Sequence, residues 1–258
     1  MKRSIDIGMA GGLLFGVLSI FGSFLLEGGQ VGALILLPAM TIVFGGTFAA
    51  AMIGTPLKVF AKTGTLIRIA LFPPQFDIKS AMAQIVRFSS IARKEGLLVL
   101  ERESGKIEDP FMEKMLRFLI DGADPEVLRG VGEAETEYVT QRHSKYIGIF
   151  QRMGGYSPTM GIIGTVMGLI ATLASAGADP NTLIKHIGSA FIATLWGVFM
   201  ANIVWLPIAD RLKNINLDER FYMEMITEGI LEIQSGEVPT VIKTKLNSML
   251  AKSDQVTE

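Results

Sequence analysis

Residues 156–178 read YSPTMGIIGTVMGLIATLASAGA, and residues 187–209 read IGSAFIATLWGVFMANIVWLPIA. Neither run contains an Asp, Glu, Lys or Arg. A hydrocarbon core about 30 Å thick is crossed by a helix of about 20 apolar residues, so each run predicts a transmembrane helix. Two more uncharged runs lie upstream, Ile7 to Leu26 and Val31 to Gly54. The chain of 258 residues is 49% hydrophobic and only 19% charged, against about 25% charged in soluble domains. Its mean hydropathy is +0.42. The opening Met-Lys-Arg and the apolar run after it imitate a secretory signal peptide. A signal's apolar region is only about 7–15 residues. Here the run is longer, turns at Glu27-Gly28-Gly29-Gln30 and re-enters an apolar segment, which predicts an uncleaved helical hairpin.

Charge placement orients these spans. If both termini share one side, 23 of the 24 Lys and Arg lie there, and Lys185 alone lies opposite. The positive-inside rule makes that side cytoplasmic. The expected organisation is an all-α polytopic membrane protein with four transmembrane helices and a helical cytoplasmic domain. Residues 1–54 form a hairpin with spans at about 5–26 and 31–54, and 55–152 a cytoplasmic helical domain. Residues 153–209 form a second hairpin with spans at about 156–178 and 187–209, and 210–258 a cytoplasmic C-terminal helix and tail.

Several function classes are disfavoured. A net charge of −1 gives no basic surplus for nucleic acid. There are no cysteines, which removes disulfides and thiolate metal sites. His143 and His186 are far apart in sequence, so no metal centre is expected. No nucleophile–base constellation or phosphate-binding glycine loop is visible, so neither an enzyme nor a cofactor is expected. A permease would predict internal repeats or interrupted helices with polar residues at mid-membrane, and neither is evident.

The cytoplasmic part reads as helical. Pro73-Pro74 is a stop, and Asp77 caps a helix whose apolar stripe is Ile78, Met82, Ile85, Phe88 and Ala92, ending at Gly96. Asp109-Pro110 and Asp124-Pro125 each pair an N-cap with proline at the first helical position. The second of these opens a long helix towards residue 156, expected to break or bend near Gly154-Gly155. Pro158 reads as a helix-start proline and Pro207 as a breaker at the membrane surface. An amphipathic helix carrying Leu212, Ile215, Met223, Ile226 and Ile230-Leu231 follows, and the tail from Ser253 is expected to be disordered.

Within the membrane, Pro158, Gly161, Thr165, Gly168 and Thr172 recur three and four apart, as do Ala190, Thr194, Gly197 and Ala201. Small faces let helices approach closely and threonines bond across the contact. The same faces suit an ion path, with hydroxyls replacing part of a hydration shell. Proton relays in membranes usually carry a charged group, and none of the four runs has an Asp, Glu, Lys or Arg. Either the chain moves no ions or a partner supplies the acid.

The motifs resemble the flagellar stator proteins of the MotA/PomA type, within the MotA/TolQ/ExbB superfamily. The resemblance rests on residues 156–170 (YSPTMGIIGTVMGLI), 193–197 (ATLWG), 205–212 (WLPIADRL), 92–101 (ARKEGLLVLE) and 228–236 (EGILEIQSG) followed by Pro239. It implies an ion-conducting, torque-generating subunit in the bacterial inner membrane. That subunit would form a homo-oligomeric ring, a pentamer in the family, around a MotB/PomB-type single-span partner bearing the ion-binding aspartate. H+ or Na+ would be the transported ion. By motif, Thr165 and Thr194 line the ion path, Pro158 and Pro207 couple to the partner, and Arg93 and Glu101 contact the rotor protein FliG. Membrane lipid is the remaining expected partner. The alternative is an ExbB/TolQ-like transducer powering an outer-membrane system. Those have three spans and a periplasmic N-terminus, against the N-terminal hairpin here.

Overall fold

The computed structural model describes residues 5–175, 179–253 and 255. Among these the chain is all-helical and has no β-strand element. The helices are α1 (Ile7–Leu26), α2 (Leu37–Ile53), α3 (Leu57–Phe60), α4 (Thr63–Leu71) and α5 (Ile78–Glu95). There follow α6 (Glu101–Ser104), α7 (Pro110–Ile120), α8 (Pro125–Ala174), α9 (Pro180–Gln234) and α10 (Pro239–Ser248). By packing the chain divides into two units. One holds the residues up to Pro74 with His143–Ile215, and the other Gln75–Arg142 with the residues from Asn216 onward.

The first unit carries the apolar helices. α1, α8 and α9 are long and apolar enough to cross a membrane, whereas α2 is a shorter apolar helix. The run from Val31 to Gly54 is therefore not one helix. A 3-10 turn at Val31–Leu34 precedes α2, and Pro38 sits in its first turn. Irregular backbone at membrane depth persists only where protein satisfies it. Here the Trp196 indole N–H donates to the Leu34 carbonyl at 2.9 Å. Around that bond Phe21, Phe44, Trp196 and Phe199 form an aromatic cluster with centroids 5.1–6.0 Å apart. Asp6 caps α1 by accepting from the Met9 N–H at 2.9 Å, and its carboxylate pairs with Arg211 on α9.

Three local expectations are corrected. α8 does not break at Gly154-Gly155; it runs as one helix from Pro125 to Ala174 with Pro158 inside it, not at its start. The helix runs through despite the poor helix propensity of glycine, and the missing side chain at Gly154 makes room for Leu206 of α9, whose Cδ2 would lie 2.5 Å from a Cβ there. Pro207 does not end a helix either. A π-helical segment, Met200–Trp205, precedes it and α9 continues to Gln234. Pro207 has no N–H for the bond a regular helix would ask of it, and a π turn shifts the hydrogen-bond register at that point. Residues 176–178, expected to end the third span, lie outside the described residues, as do 254 and 256–258 of the tail.

The second unit follows the sequence closely. Asp77 accepts from the Ser80 N–H at 2.9 Å, and Met82, Ile85 and Phe88 are buried. Gly96 stops α5 with φ +87°, a backbone region that favours glycine. Asp109 caps α7 through the Met112 N–H at 2.8 Å. These helices, with the last part of α9 and α10, close one core around Leu100, Met115, Leu116, Leu128, Ile226 and Leu246.

Candidate functional site

The two small-residue faces meet. A Cβ on Gly161 of α8 would lie 2.9 Å from the Ala193 carbonyl oxygen of α9, and one on Gly197 would lie 2.7 Å from the Ser157 carbonyl oxygen. One on Gly168 would lie 2.9 Å from Ala190 Cβ. Only glycine lets the two backbones approach this closely, which is the packing that small residues make possible in membranes.

Thr165 and Thr194 sit in this crossing, each half-buried, with their hydroxyls in direct hydrogen-bond contact. Thr165 Oγ1 is also 3.1 Å from the Gly161 carbonyl oxygen and 3.0 Å from that of Ala190. Two hydroxyl and two carbonyl oxygens therefore cluster around one point. A hydroxyl has a single proton to donate, so this cluster holds more lone pairs than protons. It can accept a cation or a hydrogen-bonded hydronium, yet it has no charge with which to hold one. Thr172 repeats the pattern on a smaller scale, its hydroxyl donating to the Gly168 carbonyl at 2.9 Å.

Pro158 lies on α8 one turn before Gly161 and is half-buried. Pro207 lies ten residues beyond Gly197 on α9. It lines an open groove of about 570 Å³ with Gly12, Asn202, Asp210 and the Asp6–Arg211 pair. The two prolines are thus found in different surroundings, one in the helix crossing and one beside the groove.

In the second unit, Arg93 lies in the last turn of α5 and Glu101 begins α6, and both are exposed. Between them Leu98 is 75% exposed while Leu100 is fully buried. Leu98 was not singled out from the sequence, because the run Leu97-Leu98-Val99-Leu100 has no period that separates its faces. His186 was also set aside. It extends the α9 face by one step, four residues before Ala190, and its Nδ1 is buried without a hydrogen-bond partner. The i, i+4 series, continued backwards, would have reached it. In the second unit, two residues after Glu101, Glu103 is held below the usual carboxylate range, first by its hydrogen bond from Lys106 and then by Arg87.

Residues 103–225 match the MotA/TolQ/ExbB proton channel family, and residues 10–96 match the motility protein A N-terminal family. Motility protein A of Bacillus subtilis (strain 168) is 33% identical over 247 residues, covering 95% of this chain and 91% of that protein. The fold matches the structure of C. jejuni MotAB with a TM-score of 0.93 and 29% identity, over 98% of this chain and 100% of the other. It matches the flagellar MotAB stator complex from Bacillus subtilis with a TM-score of 0.88 and 33% identity, over 94% and 95% of the two chains. The close-packed helix crossing, the paired threonines and matches that run nearly the whole length lead to one assignment: the chain belongs to the MotA/TolQ/ExbB proton channel family, on its motility protein A branch.

Proposed function

We infer that this chain is the ion-conducting subunit of a flagellar stator and that its share of the ion path is the Thr165–Thr194 crossing. One observation carries the reading: four oxygens converge between α8 and α9 with no Asp, Glu, Lys or Arg in either apolar run. Such a site passes an ion only if a carboxylate arrives from elsewhere. A MotB/PomB-type single-span partner supplies that aspartate, in keeping with the MotAB complexes the fold matches. The subunit forms a ring around the partner, a pentamer by family resemblance. α2 with its 3-10 turn completes a fourth crossing, and both termini face the cytoplasm of the inner membrane. Pro158 and Pro207 couple the partner's ion binding to movement. Arg93 and Glu101 touch FliG, with Leu98 as the apolar centre between two charges, the arrangement that suits an interface. H+ or Na+ is the driving ion.

The experiment is conductance in reconstituted vesicles. The chain alone passes no current, and the chain with its partner does. Thr165→Val and Thr194→Val each lower that current at least several-fold, whereas the serine variants keep most of it. Current through the lone chain overturns the reading. Swimming speed against external sodium at fixed pH identifies the ion. The match of residues 10–96 to the motility protein A N-terminal family favours this reading over an ExbB/TolQ-like transducer.

A further inference from the structure

Between α2 and the second unit lies a segment that the ion path does not use. Its position is pinned at both ends. Phe60 of α3 packs edge-on against Phe48, five residues inside the end of α2, with ring centroids 6.2 Å apart. The Leu71 carbonyl, at the end of α4, accepts from the Asp6 N–H at 3.0 Å, immediately before α1 begins. Residues 57–71 are therefore fastened near the C-terminal end of one apolar helix and the N-terminal end of another. α4 turns Thr63, Leu66 and Ala70 inwards and leaves Gly64, Thr65 and Arg68 exposed. In the chain leading into α4, Ile53 at the end of α2 is 89% exposed and Leu57 at the start of α3 is 69% exposed.

The charges on this segment are all of one sign. From Gly28 to Phe76 there is no Asp or Glu, while Lys58, Lys62 and Arg68 are present and exposed. Lys58 and Arg68 have no carboxylate partner among the described residues. Lys62 is held in place by an uncharged group, the Tyr146 hydroxyl at 2.9 Å, with its ammonium 5.1 Å from that ring's centroid. That contact orients the lysine without neutralising it.

We propose that α3 and α4 form an interfacial site for the headgroups of anionic phospholipids, with Lys58, Lys62 and Arg68 facing the phosphates and Ile53 and Leu57 entering the acyl layer. Basic residues close to an anionic membrane surface attract it, and apolar neighbours anchor the segment in the interface. The inference does not depend on the stator reading.

The test uses the full chain, delipidated in a neutral detergent and titrated with phosphatidylglycerol or phosphatidylcholine, retained lipid being counted by native mass spectrometry. The wild type retains phosphatidylglycerol in preference. The triple variant Lys58→Gln, Lys62→Gln, Arg68→Gln loses the preference, by roughly five-fold for each charge removed. A triple variant in the second unit, Lys79→Gln, Lys94→Gln, Lys252→Gln, keeps it. Should the first triple variant fold poorly by circular dichroism, Arg68→Gln alone reads the same effect. Equal retention of the two lipids by the wild type, a preference that survives in the first variant, or an equal loss in the control overturns the proposal.

Discussion

A methyl group on Gly197 would stand 2.7 Å from the Ser157 carbonyl oxygen and one on Gly161 2.9 Å from the Ala193 carbonyl oxygen, both fixed backbone atoms. Gly155, in the same helix as Gly161, meets nothing within 4 Å. Glycines that look alike in the sequence therefore fall into two kinds, Gly161 and Gly197 against backbone and Gly155 in open space. Gly197→Ala forces the two helices apart at a cost of about 1–3 kcal/mol, and conductance falls with it. Gly155→Ala gains up to about 1 kcal/mol of helix propensity and leaves conductance intact. Thermal unfolding in detergent together with conductance in vesicles separates the two. That Thr165 and Thr194 each lie on a small-residue face was legible beforehand, because spacings of three and four place such residues on one side of a helix; that the two hydroxyls meet was not. Leu98 was not legible. Its exposure depends on how Leu100 enters the core, and four consecutive apolar residues carry no information about that.

At the level of elements, caps spoke clearly and breakers did not. Asp77 and Asp109 cap the helices expected of them, since an N-cap is a local hydrogen bond that needs no distant partner. Gly154, Pro158 and Pro207 were read locally too, but tertiary contacts and a π turn override their intrinsic preference. The second unit adds a titration. Tyr222 is 9% exposed, and burial, then Asp109 beside it, pushes its phenol well above the usual range. An unfolded tyrosine ionises near pH 10. Above that pH the unfolded chain binds fewer protons than the folded one, so stability falls as pH rises. The loss is about 1.4 kcal/mol per pH unit from pH 10 upwards. Tyr222→Phe removes this alkaline slope. Unfolding midpoints of the two proteins between pH 9 and about pH 11.5 check it.

On the proposed function, taken whole, the two tasks fall to different packing units, and that separation can be measured. Charge reversal at Arg93 or Glu101, or Leu98→Asp, lowers swimming speed while membrane assembly and conductance persist. Exposed charges govern encounter and salt dependence more than stability, so melting temperatures stay within a few degrees of wild type. A rotor protein with the compensating charge restores swimming. Loss of assembly in these variants would make the residues structural. Hydropathy made the all-α, membrane-embedded character plain from composition and uncharged runs alone. It was less informative about α2, because it sums apolar residues and cannot register that Val31–Leu34 is a separate turn held by Trp196.

The π segment at Met200–Trp205 has one further consequence. It behaves as a shim, one extra residue fitted into a rod that otherwise keeps its pitch. Ahead of it α9 presents Ala190, Thr194 and Gly197 to α8, and beyond it the same helix buries Ile208, Leu212 and Ile215. A π bulge takes up its surplus residue locally, so both faces stay in phase across it. Taking the shim out by deleting one residue would leave those faces aligned. It would also restore the regular ladder just where Pro207 lacks the N–H to join it and crowds the carbonyl four residues back. The insertion and the proline form a matched pair, and a chain that lost one would be under pressure to lose the other.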